Sequence, residues 1–176
     1  MMSATNRGAK RKVNDTYDTP DYTIDSLLDV LVIPKVYTFL EPCIGGANIY
    51  AKINLPANQM NWCEIAQGRD YLKANFPQSY DLIITNPPFS KAKEFLEKSL
   101  TEANSVWYLL RVNFLASKNR VDWWQDKLPT HLLILSARPS FTGKGTDATE
   151  YAWFGWDYNN TCKLRQGVHV LPYNKK

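Results

Sequence analysis

Asp81-Leu82-Ile83-Ile84-Thr85-Asn86-Pro87-Pro88-Phe89 divides into two halves with opposite physics. Residues 81–85 are mostly apolar and β-branched and read as a buried strand. The prolines then stop it, because proline has a fixed φ and no N–H to offer a sheet ladder. A rigid turn follows, with a polar residue ahead of the prolines and an aromatic after them. Residues 91–100 resume as an amphipathic helix with Ala92, Phe95, Leu96 and Leu100 on one face.

The same alternation extends in both directions. Residues 21–31 read as a helix, with Ile24, Leu27, Leu28 and Leu31 facing inward. Residues 36–40 read as a strand that ends at Glu41-Pro42 and runs into Gly45-Gly46. Residues 61–65, 105–115, 131–136 and 151–156 read as further strands. Strands separated by helical or mixed segments predict an α/β fold: a mostly parallel sheet with helices on both faces. Such sheets bind ligands beyond the C-terminal ends of their strands. The polar signals in this sequence sit there.

Composition narrows the class. The chain has 176 residues, of which 44% are hydrophobic and 13% aromatic, enough for one buried core and against global disorder. A net charge of +4 suits an anionic partner such as nucleic acid. Three cysteines, Cys43, Cys63 and Cys162, with no CxxC pair, argue against a disulfide framework or a zinc ribbon. With two well-separated histidines, His131 and His169, no metal site is expected. No signal-peptide core and no membrane-length apolar run is present, so a reduced, cytoplasmic setting is expected. Residues 1–14 are polar and basic: a solvated tail, or an arm that touches phosphate.

Three acidic or glycine-rich signals precede the proline turn. The strand leading into Glu41-Pro42-Cys43-Ile44-Gly45-Gly46-Ala47 lets backbone approach a ligand closely. Glu64 ends the next strand, where dinucleotide-type folds place a carboxylate for ribose hydroxyls. Asp70 follows in Gly68-Arg69-Asp70 and could accept from an amine. The Asn86 side chain and the Pro87 carbonyl form two acceptors in one fixed geometry. That arrangement suits an aromatic amine such as adenine N6, whose lone pair is delocalised until acceptors on its hydrogens help it turn pyramidal. Phe89 would stack on the base.

In this order, Tyr17-Asp18-Thr19-Pro20, Glu41-Pro42-Cys43-Ile44-Gly45-Gly46, Glu64, Asp70 and Asn86-Pro87-Pro88-Phe89 resemble the adenine-N6 DNA methyltransferases, particularly the small bacteriophage type. Arg111-Val112-Asn113-Phe114-Leu115, Arg138-Pro139-Ser140-Phe141 and Tyr151-Ala152-Trp153-Phe154 resemble that group too. The resemblance implies a Rossmann-like class I methyltransferase fold of seven strands, the one near residues 151–156 being antiparallel. It also implies S-adenosylmethionine as cofactor. Tyr17, Thr19 and Pro20 would line its methionine end, and residues 41–47, with Glu41, Pro42, Cys43, Gly45 and Gly46, would hold its amino-acid moiety. Glu64 would bind ribose and Asp70 the cofactor adenine. Asn86, Pro87, Pro88 and Phe89 would carry catalysis on a flipped-out adenine in DNA. One departure is plain: Ala47 stands where the family pattern has its second glycine.

Residues 15–176 are expected to form one domain without a separate target-recognition domain, hence loose or short sequence specificity. Cys43 lies in the cofactor turn, so it reads as a packed small hydrophobe. Lys91, Lys93 and Lys144 are the expected phosphate contacts. Residues 138–150 read either as a plain hairpin loop or as a loop on the nucleic acid. Lys118, Arg120 and Lys127 surround Trp123 and Trp124, which either serve backbone binding or pack inward. The proline–aromatic loop is specific to amine methylation and not to DNA. RNA adenine, a protein glutamine and a catalytically silent binding protein stay open.

Overall fold

The computed structural model describes residues 18–143 and 145–173. The basic segment 1–14, Tyr17 and Lys144 lie outside the described residues.

Seven strands form one sheet in the order β2-β1-β3-β4-β6-β5-β7. They are β1 (Phe39–Glu41), β2 (Met60–Trp62), β3 (Tyr80–Thr85), β4 (Ala103–Arg111), β5 (His131–Leu135), β6 (Tyr151–Trp156) and β7 (Gly167–Leu171). β1 to β4 run parallel, β6 is antiparallel to both β4 and β5, and β7 is parallel to β5. The expected seven-stranded, mostly parallel sheet with residues 151–156 antiparallel is what the chain builds.

Side-chain alternation explains why the central strands are apolar throughout. Leu82 and Ile84 of β3 enter one core and Ile83 enters the other. Trp107 and Leu109 of β4 divide from Val106, Tyr108 and Leu110 in the same way. The first core is covered by α1 (Asp21–Leu28) and α2 (Asn48–Lys52), through Ile24, Leu27 and Ile49. The second is covered by α3 (Ala92–Glu102) and α4 (Val121–Lys127), through Phe95, Leu96 and Trp124. Each fully buried Leu or Ile contributes about 1.5–3 kcal/mol.

Element ends shift for local reasons. α1 stops at Leu28, although Leu31 N–H still bonds the Leu27 carbonyl at 3.2 Å and Leu31 is buried. β1 starts at Phe39 because Thr38 turns its N–H and hydroxyl to Asp81 Oδ2, at 2.8 and 3.0 Å. β4 ends at Arg111, where residues Val112–Phe114 tighten into a 3₁₀ turn. β7 escapes sequence reading because its pattern is inverted: Val168 and Val170 point outward, 67% and 68% exposed, while His169 is less so. Of the tryptophan pair, Trp124 packs inward, with its indole N–H on the Leu115 carbonyl, and Trp123 is half-buried.

Candidate active site

The C-terminal ends of β1 and β3 lie side by side, since Leu40 pairs with Ile83. Between them opens a cleft of about 340 Å³, counting its mouth, lined by Asp18, Thr19, Glu41, Cys43, Ile44, Gly45, Gly46, Asn48, Ile49 and Asn86. Residues from three separate segments, 18–19, 41–49 and Asn86, converge there.

Gly45 and Ala47 both take left-handed backbone, with φ of 50° and 65°. Gly46 has a different reason to be glycine: a Cβ there would collide with the Asp18 carboxylate. The Gly45 N–H donates to Glu64 Oε2 at 3.0 Å, and the Ala66 N–H donates to Glu64 Oε1 at 3.1 Å. Glu64 is therefore a buried tie that holds the glycine turn against the end of β2.

Glu41 is 1% exposed. The Tyr50 N–H bonds its carboxyl, yet Oε2 is buried with no hydrogen-bond partner among the described residues. Burial pushes this carboxyl well above the usual carboxylate range. The Tyr50 N–H pulls the other way, and the charge of Glu64 adds to the push. A buried acceptor of this kind is costly unless a ligand meets it. Cys43 is half-buried, and its thiol is pushed up to about 12, by burial first and then by Glu64 and Glu41. These causes hold it in the neutral thiol form, against a role as thiolate nucleophile.

The proline turn sits across the cleft. Asn86 Nδ2 donates to Thr19 Oγ1 at 3.2 Å, and the Thr19 carbonyl accepts from Asn48 Nδ2 at 3.0 Å. The first bond sets which end of the Asn86 amide is donor and which is acceptor. Pro20 is the N-cap of α1, its carbonyl accepting from Thr23 and Ile24. Pro87 is buried, and the Pro88 carbonyl accepts from the Lys91 N–H at 2.9 Å. Phe89 is half-buried against Tyr151, with ring centroids 5.9 Å apart.

The fold is that of the class I S-adenosylmethionine-dependent methyltransferases. A putative member from Listeria monocytogenes superposes with a TM-score of 0.57 at 13% identity, over 86% of this chain and 64% of that one. A type I restriction-modification methyltransferase subunit from Streptococcus thermophilus gives 0.60 at 11%, over 88% and 47%. A putative RNA methyltransferase from Pyrococcus horikoshii gives 0.53 at 12%, over 79% and 84%. This chain thus spans about half to two thirds of the length of the first two. No family profile matches the sequence, and no curated protein matches it.

Within that fold, Thr19, Glu41, Cys43, Gly45, Gly46 and Asn86 line one cleft. Asp70 does not line it. Its Oδ1 accepts from the Leu72 N–H at 3.1 Å and its Oδ2 lies 3.5 Å from Lys73 Nζ. Lys91 is exposed, whereas Lys93 is paired with Glu97 at 2.7 Å and lies 5.6 Å from the Trp123 ring. Sequence reading missed Asp18, although it stands inside the quoted Tyr17–Pro20 motif, and Asn48, which opens α2 directly after the glycine turn. Among the described residues no group of three His, Cys, Asp or Glu could hold a metal ion. No described helix is long and apolar enough to cross a membrane.

Proposed function

We propose that this chain is an S-adenosylmethionine-dependent methyltransferase acting on the exocyclic amine of adenine, in DNA. The observation that carries this reading is the meeting of Glu41 and Asn86 on one cleft, together with the buried Glu41 Oε2, which has no hydrogen-bond partner among the described residues.

Glu41 fits the cationic ammonium of the cofactor's methionine end, which would supply the partner its Oε2 lacks. Gly45 and Gly46 let backbone pass close to that group. When bound, the cofactor supplies an electrophilic methyl on a sulfonium. Asn86 and the Pro87 carbonyl would accept from the two amine hydrogens and so favour a pyramidal nitrogen. Phe89 would hold the base by stacking, which requires an unpaired or flipped-out nucleotide. Glu64 would reach ribose only while keeping its tie to Gly45. Lys91, exposed just after the proline turn, is a phosphate contact in this reading, together with Lys93 and Lys144.

The similar restriction-modification subunit supports DNA as substrate. RNA adenine is the second reading, favoured by similar solved structures described as a putative RNA methyltransferase and as a dimethyladenosine transferase. Transfer of radiolabelled methyl to DNA, RNA and protein in parallel decides between them. Incorporation into DNA as N6-methyladenine is the expected result, and labelling of protein alone defeats the adenine reading.

A further inference from the structure

Beyond the C-terminal end of β4, three residues from two distant places in the sequence form a closed triangle. Arg111 is the last residue of β4, Tyr151 the first of β6, and the two are register partners. Asp147 lies in the loop before β6. Arg111 Nε donates to the Tyr151 hydroxyl at 3.0 Å, and Arg111 Nη2 donates to Asp147 Oδ2 at 3.2 Å. The Tyr151 hydroxyl donates to the same Oδ2 at 2.8 Å. Asp147 Oδ1 in turn accepts from the N–H and hydroxyl of Thr149, both at 3.3 Å. A guanidinium held through both nitrogens of its Nε–Nη2 edge has a fixed plane and position.

That position is over Phe89. The guanidinium carbon stands 5.2 Å from the centroid of the Phe89 ring and 5.9 Å from that of Tyr151. Phe89 itself lies against Tyr151. One face of the ring is thus taken by a cation, and the ring cannot swing freely.

We propose, on the footing of the adenine reading above, that Arg111 is a positioning residue for the target base: clamped by Asp147 and Tyr151, it holds the half-buried Phe89 ring from one side, and the base would stack on the side away from the guanidinium. A ring already locked loses little rotamer freedom when the base arrives. The cation also draws electron density toward its own face, which favours an electron-rich purine on the other. The loop between β5 and β6 then has a defined task, because its Asp147 fixes the arginine.

Mutational coupling separates this role from a merely structural one. Arg111→Met and Phe89→Ala should each lower kcat on an adenine-containing oligonucleotide by about 5- to 150-fold, the range of one lost base–aromatic stack. The cofactor Kd, measured by calorimetry, should stay within about twofold of wild type, since transition-state positioning and not uniform binding is lost. The double variant should be no slower than Phe89→Ala alone. Asp147→Asn, which leaves Arg111 in place, should lower kcat in the same direction by less, and should do nothing in the Phe89→Ala background. If Arg111→Met does not fold, Asp147→Asn carries the same cycle. Multiplying effects in the double variant overturn the proposal. So does a rise in the KM for DNA at unchanged kcat, which would make Arg111 a phosphate contact. A wild-type protein that binds the cofactor but labels no adenine overturns the functional reading itself, before any variant is made.

Discussion

At the β1 end of the cleft a buried carboxylate oxygen of Glu41 has no partner among the described residues, whereas beyond β4 the polar atoms of Arg111, Asp147 and Tyr151 satisfy one another. The first arrangement costs stability until a ligand arrives. The second is self-sufficient and holds an aromatic ring in place without any ligand. The difference separates two tasks. A group that must bind a charge is left wanting one, and a group that must only hold a position is finished in advance. Asn86, tied to Thr19 on one side of its amide, stands between the two ends.

The largest effect should come from that middle residue. Asn86→Ala removes one acceptor for the reacting amine, a loss on the order of 3 kcal/mol, or about a hundredfold or more in rate. Cofactor binding should survive, because the loop 41–47 is untouched. Near-normal transfer by the variant, read by radiolabel incorporation, would move the chemistry elsewhere.

Glu41→Gln tests whether the open end is built for a cation. Cofactor affinity by calorimetry should fall roughly 30-fold or more, the usual loss when one partner of a buried charge pair is neutralised. The ligand-free variant should nevertheless be the more stable protein at neutral pH. The Glu41 carboxyl is raised above its ordinary value by burial, so the folded state holds its proton more tightly than the unfolded chain does. The stability from that proton is whole at about pH 4 and is lost as pH rises through the folded value. Melting temperatures taken between about pH 5 and 8 should show wild type falling relative to Glu41→Gln. The amide keeps a buried polar group and removes only the charge, so the difference between the two proteins should be small near pH 4 and grow as pH rises. A variant that is less stable at every pH would mean that Glu41 is satisfied in the free protein.

Glu64→Ala should act on the same end more weakly. Its two carboxylate oxygens hold Gly45 and Ala66, so its loss loosens the glycine turn as well as any ribose contact. Interactions made equally in ground and transition states appear in KM, so cofactor KM should rise about tenfold or more while kcat changes less. A fall in kcat at fixed KM would assign Glu64 to the target end.

The two ends also differ in how far the sequence discloses them. The β3 run and the proline turn are readable because a short continuous apolar run and a rigid breaker are local signals. The glycine turn and Glu64 are readable from order and spacing. The unpartnered oxygen of Glu41 is not, because burial belongs to the folded chain. The Arg111–Asp147–Tyr151 triangle is illegible for another reason. Arg111 and Asp147 are 36 residues apart, and Asp147 stands in a polar loop whose pattern gives no period. Tyr22 reaches 116 residues to the Arg138 carbonyl, a pairing no local window contains. β7 was lost to its own pattern, since its valines face outward.

The smallest predicted effect settles what the missing second glycine means. Ala47 occupies left-handed backbone, at φ 65°, and its N–H bonds the Ile44 carbonyl at 2.7 Å, so the turn closes despite its methyl. Holding an alanine there costs roughly 1–2 kcal/mol. Glycine would remove that strain but would free the unfolded chain by about 0.5–1 kcal/mol. Ala47→Gly should therefore stabilise the protein by about 0.5–1 kcal/mol, or roughly 1–4 °C in melting temperature. Ala47 is not among the residues lining the cleft, so cofactor affinity should stay within about twofold. A large gain in affinity would show that the alanine holds the turn away from its ligand-binding shape, and the open end at Glu41 would then be less prepared than its geometry indicates.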